Sequence, residues 1–181
     1  MLNFKKDTFK IMQIADTQEG RRVSPDTLDL INAALDRENP DLVVYSGDQI
    51  WGKTAFRGDK NAVTKTLDAL TKPVRKRNIP FTICFGNHDR QVGLSNAEQF
   101  EIYKSFDGFI GENTDGIDGV ANHCIEIWDN DEIRFLLYLI DSHTSLEIGY
   151  DNVHENQIEW YRQTRDSYEK KYGRLIPSIV I

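Results

Sequence analysis

The sequence predicts an α/β fold, and three observations carry that reading. In the first half of its 181 residues, short apolar runs alternate with longer stretches whose apolar residues recur at helical spacing. That alternation is the signature of parallel βαβ units with right-handed crossovers. In the second half, two apolar runs flank Asp129-Asn130-Asp131, which reads as an antiparallel hairpin. With 39% hydrophobic and 28% charged residues, the chain can bury one core and is neither disordered nor collagen-like. A single domain over residues 1–181 accounts for the length.

The elements follow in order. A first strand runs from about Phe9 to Ala15, and after a polar loop a helix spans about Pro25 to Glu38. Ser24 serves as its N-cap and Pro25 as its first-turn proline. The run Leu42 to Ser46 forms a second strand, a long helical pattern covers about Asp59 to Arg77, and Phe81 to Phe85 forms a third strand. Ser95-Asn96-Ala97-Glu98 is a capping box that opens a short helix through Tyr103, ahead of a Gly- and Asp-rich loop from Asp107 to Gly119. The hairpin pairs Asn122–Trp128 with Glu132–Ile140, and the continuously apolar second strand is expected to be buried on both faces. A helix over about Glu155–Tyr172 ends at Gly173, with Ile158, Tyr161, Tyr168 and Tyr172 on one core-facing side. The segment Ile176–Ile181 then reads as the opening of another core strand.

Charge and composition exclude several function classes. The formal net charge of -7 removes the overall attraction to phosphate backbones that drives non-specific nucleic-acid binding. The one basic cluster, Lys72, Arg75, Lys76 and Arg77, sits at a helix C-terminus, where cations complement the macrodipole. No run approaches the roughly 18 apolar residues of a membrane helix, and the N-terminus lacks the apolar centre of a signal peptide. Cys84 and Cys124 each lie in an apolar stretch, which fits buried free thiols, a reducing compartment and a cytoplasmic location.

Polar clusters follow each parallel strand at once: Asp16-Thr17-Gln18, then Gly47-Asp48, then Gly86-Asn87-His88-Asp89. Open α/β sheets bind ligands at the carboxyl ends of their strands, so the three clusters should converge in one cleft. Taken singly, Asp16 reads as a loop or cap residue and Gly-Asp as a turn. Together they bring two carboxylates, an amide oxygen and an imidazole to one edge, a hard oxygen-rich set suited to divalent cations. His143 also follows a strand and could face the cleft, whereas His123 reads as packed in a strand and His154 as a capping or surface residue.

The order Asp-x-x, Gly-Asp, Gly-Asn-His-Asp, at separations of about 30 to 40 residues between Phe9 and Arg90, resembles the calcineurin-like metallophosphoesterases, a superfamily that includes purple acid phosphatases and many nucleases. Leu137–Ser142 and Gln157–Tyr161 look like that family's later strand and helix. The resemblance implies a two-layer metallophosphatase-like β-sandwich flanked by helices. It implies two divalent metal ions (Mn, Fe, Zn or Mg) bridged by Asp48, with Asp16 on the first, Asn87 on the second, and a small phosphate ester as substrate. His88 would protonate the leaving group and Asp89 would orient its ring. Gln18 stands where the family has a histidine, so it would be a weaker ligand of the first metal.

The family completes its metal shells with three further histidines, two of them in a Gly-His-x-His motif that this sequence does not contain. Hence the expectation is of a C-terminally truncated domain: an active metallophosphoesterase when intact, with these residues alone inactive, weak in metal binding and prone to self-associate through the opened edge. The alternative is a non-catalytic, metal-poor relative or fragment acting in binding or assembly.

Overall fold

The structure, a computed structural model, describes residues 1–144 and 146–181, with the side chains of 53 and 54 left aside. Among the described residues, seven strands and five helices follow one another as β1 (Leu2–Asn3), β2 (Ile11–Ile14), α1 (Pro25–Glu38), β3 (Leu42–Ser46), α2 (Lys53–Phe56), α3 (Lys60–Arg75), β4 (Phe81–Cys84), α4 (Asn96–Lys104), β5 (His123–Asp129), β6 (Glu132–Leu139), α5 (Glu155–Tyr172) and β7 (Ser178–Val180). A 3-10 turn over Asp89–Val92 sits between β4 and α4.

The strands form two sheets, a parallel one in the order β2-β3-β4 and a mixed one in the order β1-β5-β6-β7. Side-chain alternation along each strand builds the layers. On β3 and β4, Val43, Tyr45, Phe81 and Ile83 pack against Ile31 and Leu35 of α1, Leu67 and Leu70 of α3, and Phe100 and Tyr103 of α4. The intervening Leu42, Val44 and Cys84 face the other way and meet Ile125, Leu137 and Leu139 of the second sheet. Leu136 and Tyr138 of β6 then face Trp160, Tyr161, Tyr168 and Tyr172 on α5. The order helices, sheet, sheet, helix is the expected helix-flanked sandwich, and Leu136–Leu139 are buried on both faces of their sheet as their continuous apolarity requires.

Several boundaries move. β2 is shorter than Phe9–Ala15, although Phe9 still packs into the inter-sheet core. Asp59 is the N-cap of α3, its carboxylate accepting the Ala62 N–H at 3.1 Å. Ser24 does occupy the N-cap of α1, but its side chain makes no cap bond; Glu19 instead accepts the Ser24 N–H (2.9 Å) and the Thr27 hydroxyl (2.5 Å). The Ser95–Glu98 capping box is formed as expected. β7 pairs in parallel with β6, with Ile176 and Ile181 on either side of it packed into core clusters and Ile179 and Val180 about half exposed (47% and 48%). β1, α2 and the 3-10 turn, each two to four residues long, are too short to leave a periodic signal.

The basic cluster is engaged in packing. Arg75 pairs with Asp68 and lies 4.7 Å from the Phe106 ring centroid, while Arg77 reaches Asp36 (2.6 Å) and Asn32 (2.9 Å) on α1.

Candidate functional site

The loops leaving β2 and β3 stay paired beyond the strands. Asp16 N–H donates to Gly47 O (3.1 Å), Gln18 N–H to Asp48 O (2.9 Å) and Glu19 N–H to Gln49 O (3.1 Å). The loop after β4 is pressed against them so closely that a Cβ on Gly86 would stand 2.2 Å from Asp48 Oδ1, and one on Gly47 would stand 2.6 Å from Gly86 N. Gly47 also has φ +94°, so both positions require glycine. Asp16, Gln18, Asp48 and His143 all adopt left-handed backbone (φ 55°, 46°, 54° and 69°). Sparsely populated backbone of that kind is stored at functional sites at roughly 1–3 kcal/mol per residue.

A cleft of about 320 Å³ opens at these strand ends. Asp16, Asp48 and Asn87 line it from the three loops, and His143, Tyr150 and Asp151 line it from the loop after β6. Asp16 is exposed and Asp48 is buried at 8%, with its Oδ1 accepting the His88 N–H at 2.8 Å. The Gln18 side chain is exposed, and Gln18 is not among the residues lining this cleft. His88 follows Asn87 with its ring edge-on to Trp51, centroids 6.2 Å apart, and its Nδ1 is buried without a hydrogen-bond partner.

The expected role of Asp89 is corrected. Its carboxylate does not accept from the His88 ring but from backbone N–H groups: Asp48 (2.8 Å) and Gly86 (2.9 Å) at Oδ2, Gln49 (2.9 Å) and Ile50 (3.3 Å) at Oδ1. The 3-10 turn that starts at Asp89 swings the side chain under the β3 loop, away from the imidazole. Burial pushes the Asp89 carboxyl up to about 6, against the opposing pull of the N–H groups of Gly86, Asp48 and Ile50, and the Asp48 charge adds to the rise. Asp89 is thus the tie that holds the Asp48 loop to the Asn87 loop.

His143 lines the cleft, as its place after a strand suggests, but its partners there carry no sequence signal. His143, Asp151 and His154 each offer one ligand atom, and these atoms lie within 4.8 Å of one another. The two imidazoles stack, centroids 4.0 Å apart. Behind them lies a buried amide network of Asn122, Asp141 and Gln157, in which Gln157 Oε1 accepts from His154 N–H (2.7 Å) and meets His143 Nε2 (3.0 Å). The spacing of His143 and His154 across a loop gave no sequence signal, because neither partner is at helical or strand register with the other. His123 is, as expected, a packed residue. It is buried between Ala121 O (2.7 Å) and the Thr82 hydroxyl (2.8 Å), and burial lowers its pKa to about 4.

The donor set at the cleft, two carboxylates and an amide oxygen backed by a glycine cradle that any Cβ would fill, fits hard divalent cations. The calcineurin-like phosphoesterase profile matches residues 9–176. The chain belongs to that family. This calcineurin-like phosphoesterase chain is 28% identical to Phosphatase DCR2 of Saccharomyces cerevisiae over 87% of its own length and 32% of that protein's. It is 26% identical to an Arabidopsis thaliana protein named probable inactive purple acid phosphatase 14, over 96% of the chain and 51% of the relative. A dimetal phosphatase from Danio rerio has the same fold, with a TM-score of 0.66 and 14% identity over 96% of this chain and 68% of that one. The chain spans about a third of the length of the yeast relatives it matches.

Proposed function

We propose that the intact protein is a metal-dependent phosphoesterase that hydrolyses a small phosphate monoester or diester at this cleft. The observation that carries the reading is the convergence of Asp16, Asp48 and Asn87 on one cavity wall at the carboxyl ends of three parallel strands. In this reading Asp16, Asp48 and Asn87 would hold two divalent cations (Mn, Fe, Zn or Mg), with Asp48 shared between them, whereas Gln18 lies outside the lining of the cleft. When bound, the cations supply positive charge that neutralises the phosphate and lowers the pKa of water. The chain's own residues do the rest. Gly47 and Gly86 let the loops after β3 and β4 close on each other, which holds Asp48 and Asn87 side by side. His88, which follows Asn87 in the loop after β4, would serve as general acid, its imidazolium giving a proton to the leaving alkoxide and remaining as the neutral ring.

A second reading, a non-catalytic relative acting in binding or assembly, is favoured by the exposed side chain of Gln18 at the family's histidine position. Relatives named inactive purple acid phosphatases give it support. No helix among the described residues is long and apolar enough to cross a membrane. Both cysteines are free thiols, in keeping with a cytoplasmic protein, and the exposed β7 edge is where self-association would occur. The deciding experiment assays the intact protein with Mn2+ on an aryl phosphate monoester and diester. Asp48→Asn is expected to abolish turnover, whereas His88→Ala keeps metal bound and loses about 100-fold to 10,000-fold in rate on a poor leaving group. Full activity in Asp48→Asn, or no metal-dependent turnover by the wild type, would contradict the enzyme reading.

A further inference from the structure

We propose that His143, Asp151 and His154 form a separate nitrogen-rich metal site, of the kind that takes Zn2+, on the wall of the cleft facing the Asp16, Asp48 and Asn87 loops. Their ligand atoms already lie within 4.8 Å of one another, which leaves small side-chain movements to reach the roughly 2.0–2.2 Å of Zn–N and Zn–O bonds.

The surrounding hydrogen bonds fix what each ring offers. Asp141 N–H donates to Asn122 Oδ1 (2.9 Å), which sets the orientation of that amide. Gln157 Nε2 donates to the same Oδ1 (2.9 Å) and to Asp141 O (2.7 Å), so Gln157 Oε1 must face His143. His143 therefore carries its proton on Nε2 and presents a lone pair on Nδ1. His154 Nδ1 lies 2.7 Å from Asp118 Oδ2 and donates to it, while Nε2 lies 3.1 Å from Asp151 Oδ1. A cation between His154 Nε2 and Asp151 would take the place of the proton there, and that proton leaves to solvent.

Each imidazole is thus already held by an oxygen on its other nitrogen, the outer arrangement that metal-ligating histidines use to set tautomer and direction. Asn122, Asp141 and Gln157 are at most 2% exposed, so the support is rigid and solvent-free. Three protein ligands leave a fourth position of a tetrahedral Zn2+ open. His143 and Asp151 line the same cleft as Asp48, so that position faces the candidate phosphoester site. Imidazole selects Zn, Cu, Fe or Ni, whereas the carboxylate and amide set across the cleft suits Mn or Mg, so the two sites differ in metal preference. The inference does not depend on phosphoesterase activity.

The test is calorimetric titration of metal-free protein with Zn2+, with circular dichroism to confirm folding of each variant. Wild type and Asp48→Asn are expected to share one Zn2+ binding event that His143→Ala, Asp151→Asn and His154→Gln each weaken at least about 10-fold. Asp118→Asn, an exposed outer-partner change, is expected to weaken it by about 10-fold as well. Zn2+ binding unaltered in His143→Ala and His154→Gln, or absent from wild type, would overturn the site. Loss of the event in Asp48→Asn alone would assign it to the oxygen set and equally overturn it.

Discussion

Asp89 ties two loops of the candidate site together through backbone contacts alone. Its four backbone partners belong to the Asp48 and Gly86 loops, so Asp89→Asn replaces an acceptor oxygen with an NH2 that faces N–H groups. Each buried donor left unsatisfied costs about 1–3 kcal/mol. The variant is expected to lose at least about 2 kcal/mol in urea unfolding, together with metal affinity at the cleft. Unaltered stability would remove Asp89 from that role. The Gly-Asn-His-Asp run was legible as a site in sequence because three polar residues at a strand end have no core to join. Which of them faces the cleft was not, since the 3-10 turn that starts at Asp89 is only four residues long and leaves no periodic signal. His154 does occupy the N-cap of α5, as its place before a helix suggests, whereas its carboxylate partners Asp118 and Asp151 come together only through loop closure and leave no sequence signal.

At the scale of elements, the site depends on how closely β3 and β4 can end side by side. Gly86→Ala would drive a methyl into Asp48 Oδ1, and the backbone N of Asp48 at 2.7 Å blocks escape in that direction. The expected outcome is a folded protein with displaced Asp48, lowered thermal stability and at least about 10-fold weaker Mn2+ binding, read by calorimetry. Wild-type affinity would show that the close approach is incidental. Long periodic elements such as α1, α3 and α5 were legible within a few residues, because amphipathic spacing over several turns survives the loss of tertiary context. The hairpin β5–β6 was legible from its Asp-Asn-Asp turn, and the bulge at Ile127/Trp128 was not. α2 and β1 were invisible because two to four residues carry no period, whereas the apolar run at Ile176–Ile181 does contain β7.

For the whole molecule, the two sheets are locked at an interface where His123 is buried neutral beneath β4. Its pKa is lowered from 6.5 to about 4, so the unfolded chain binds the proton first as pH falls. Stability contributed by the neutral ring is therefore present above about 6.5 and is lost as pH falls from there toward 4, by up to about 3 kcal/mol. Urea midpoints measured between pH 4 and 7 should rise with pH over that window, and His123→Phe should flatten the rise even if it lowers the plateau. An unchanged slope in the variant would place the pH dependence elsewhere. The helix-flanked sandwich as a whole was not legible from periodicity, which gave only an α/β class; its layer order came from the resemblance carried by the three strand-end motifs. The proposed cation site requires those motifs, far apart in sequence, to bind one ion together. Mn2+ line broadening in amide spectra of the isotope-labelled 181-residue chain tests it most directly, because paramagnetic broadening detects even weak occupancy. Asp16, Gly47, Asp48, Gly86 and Asn87 are expected to broaden first, and Asp48→Asn to abolish the effect; broadening scattered over the acidic surface, or unchanged in Asp48→Asn, would contradict a shared cation site.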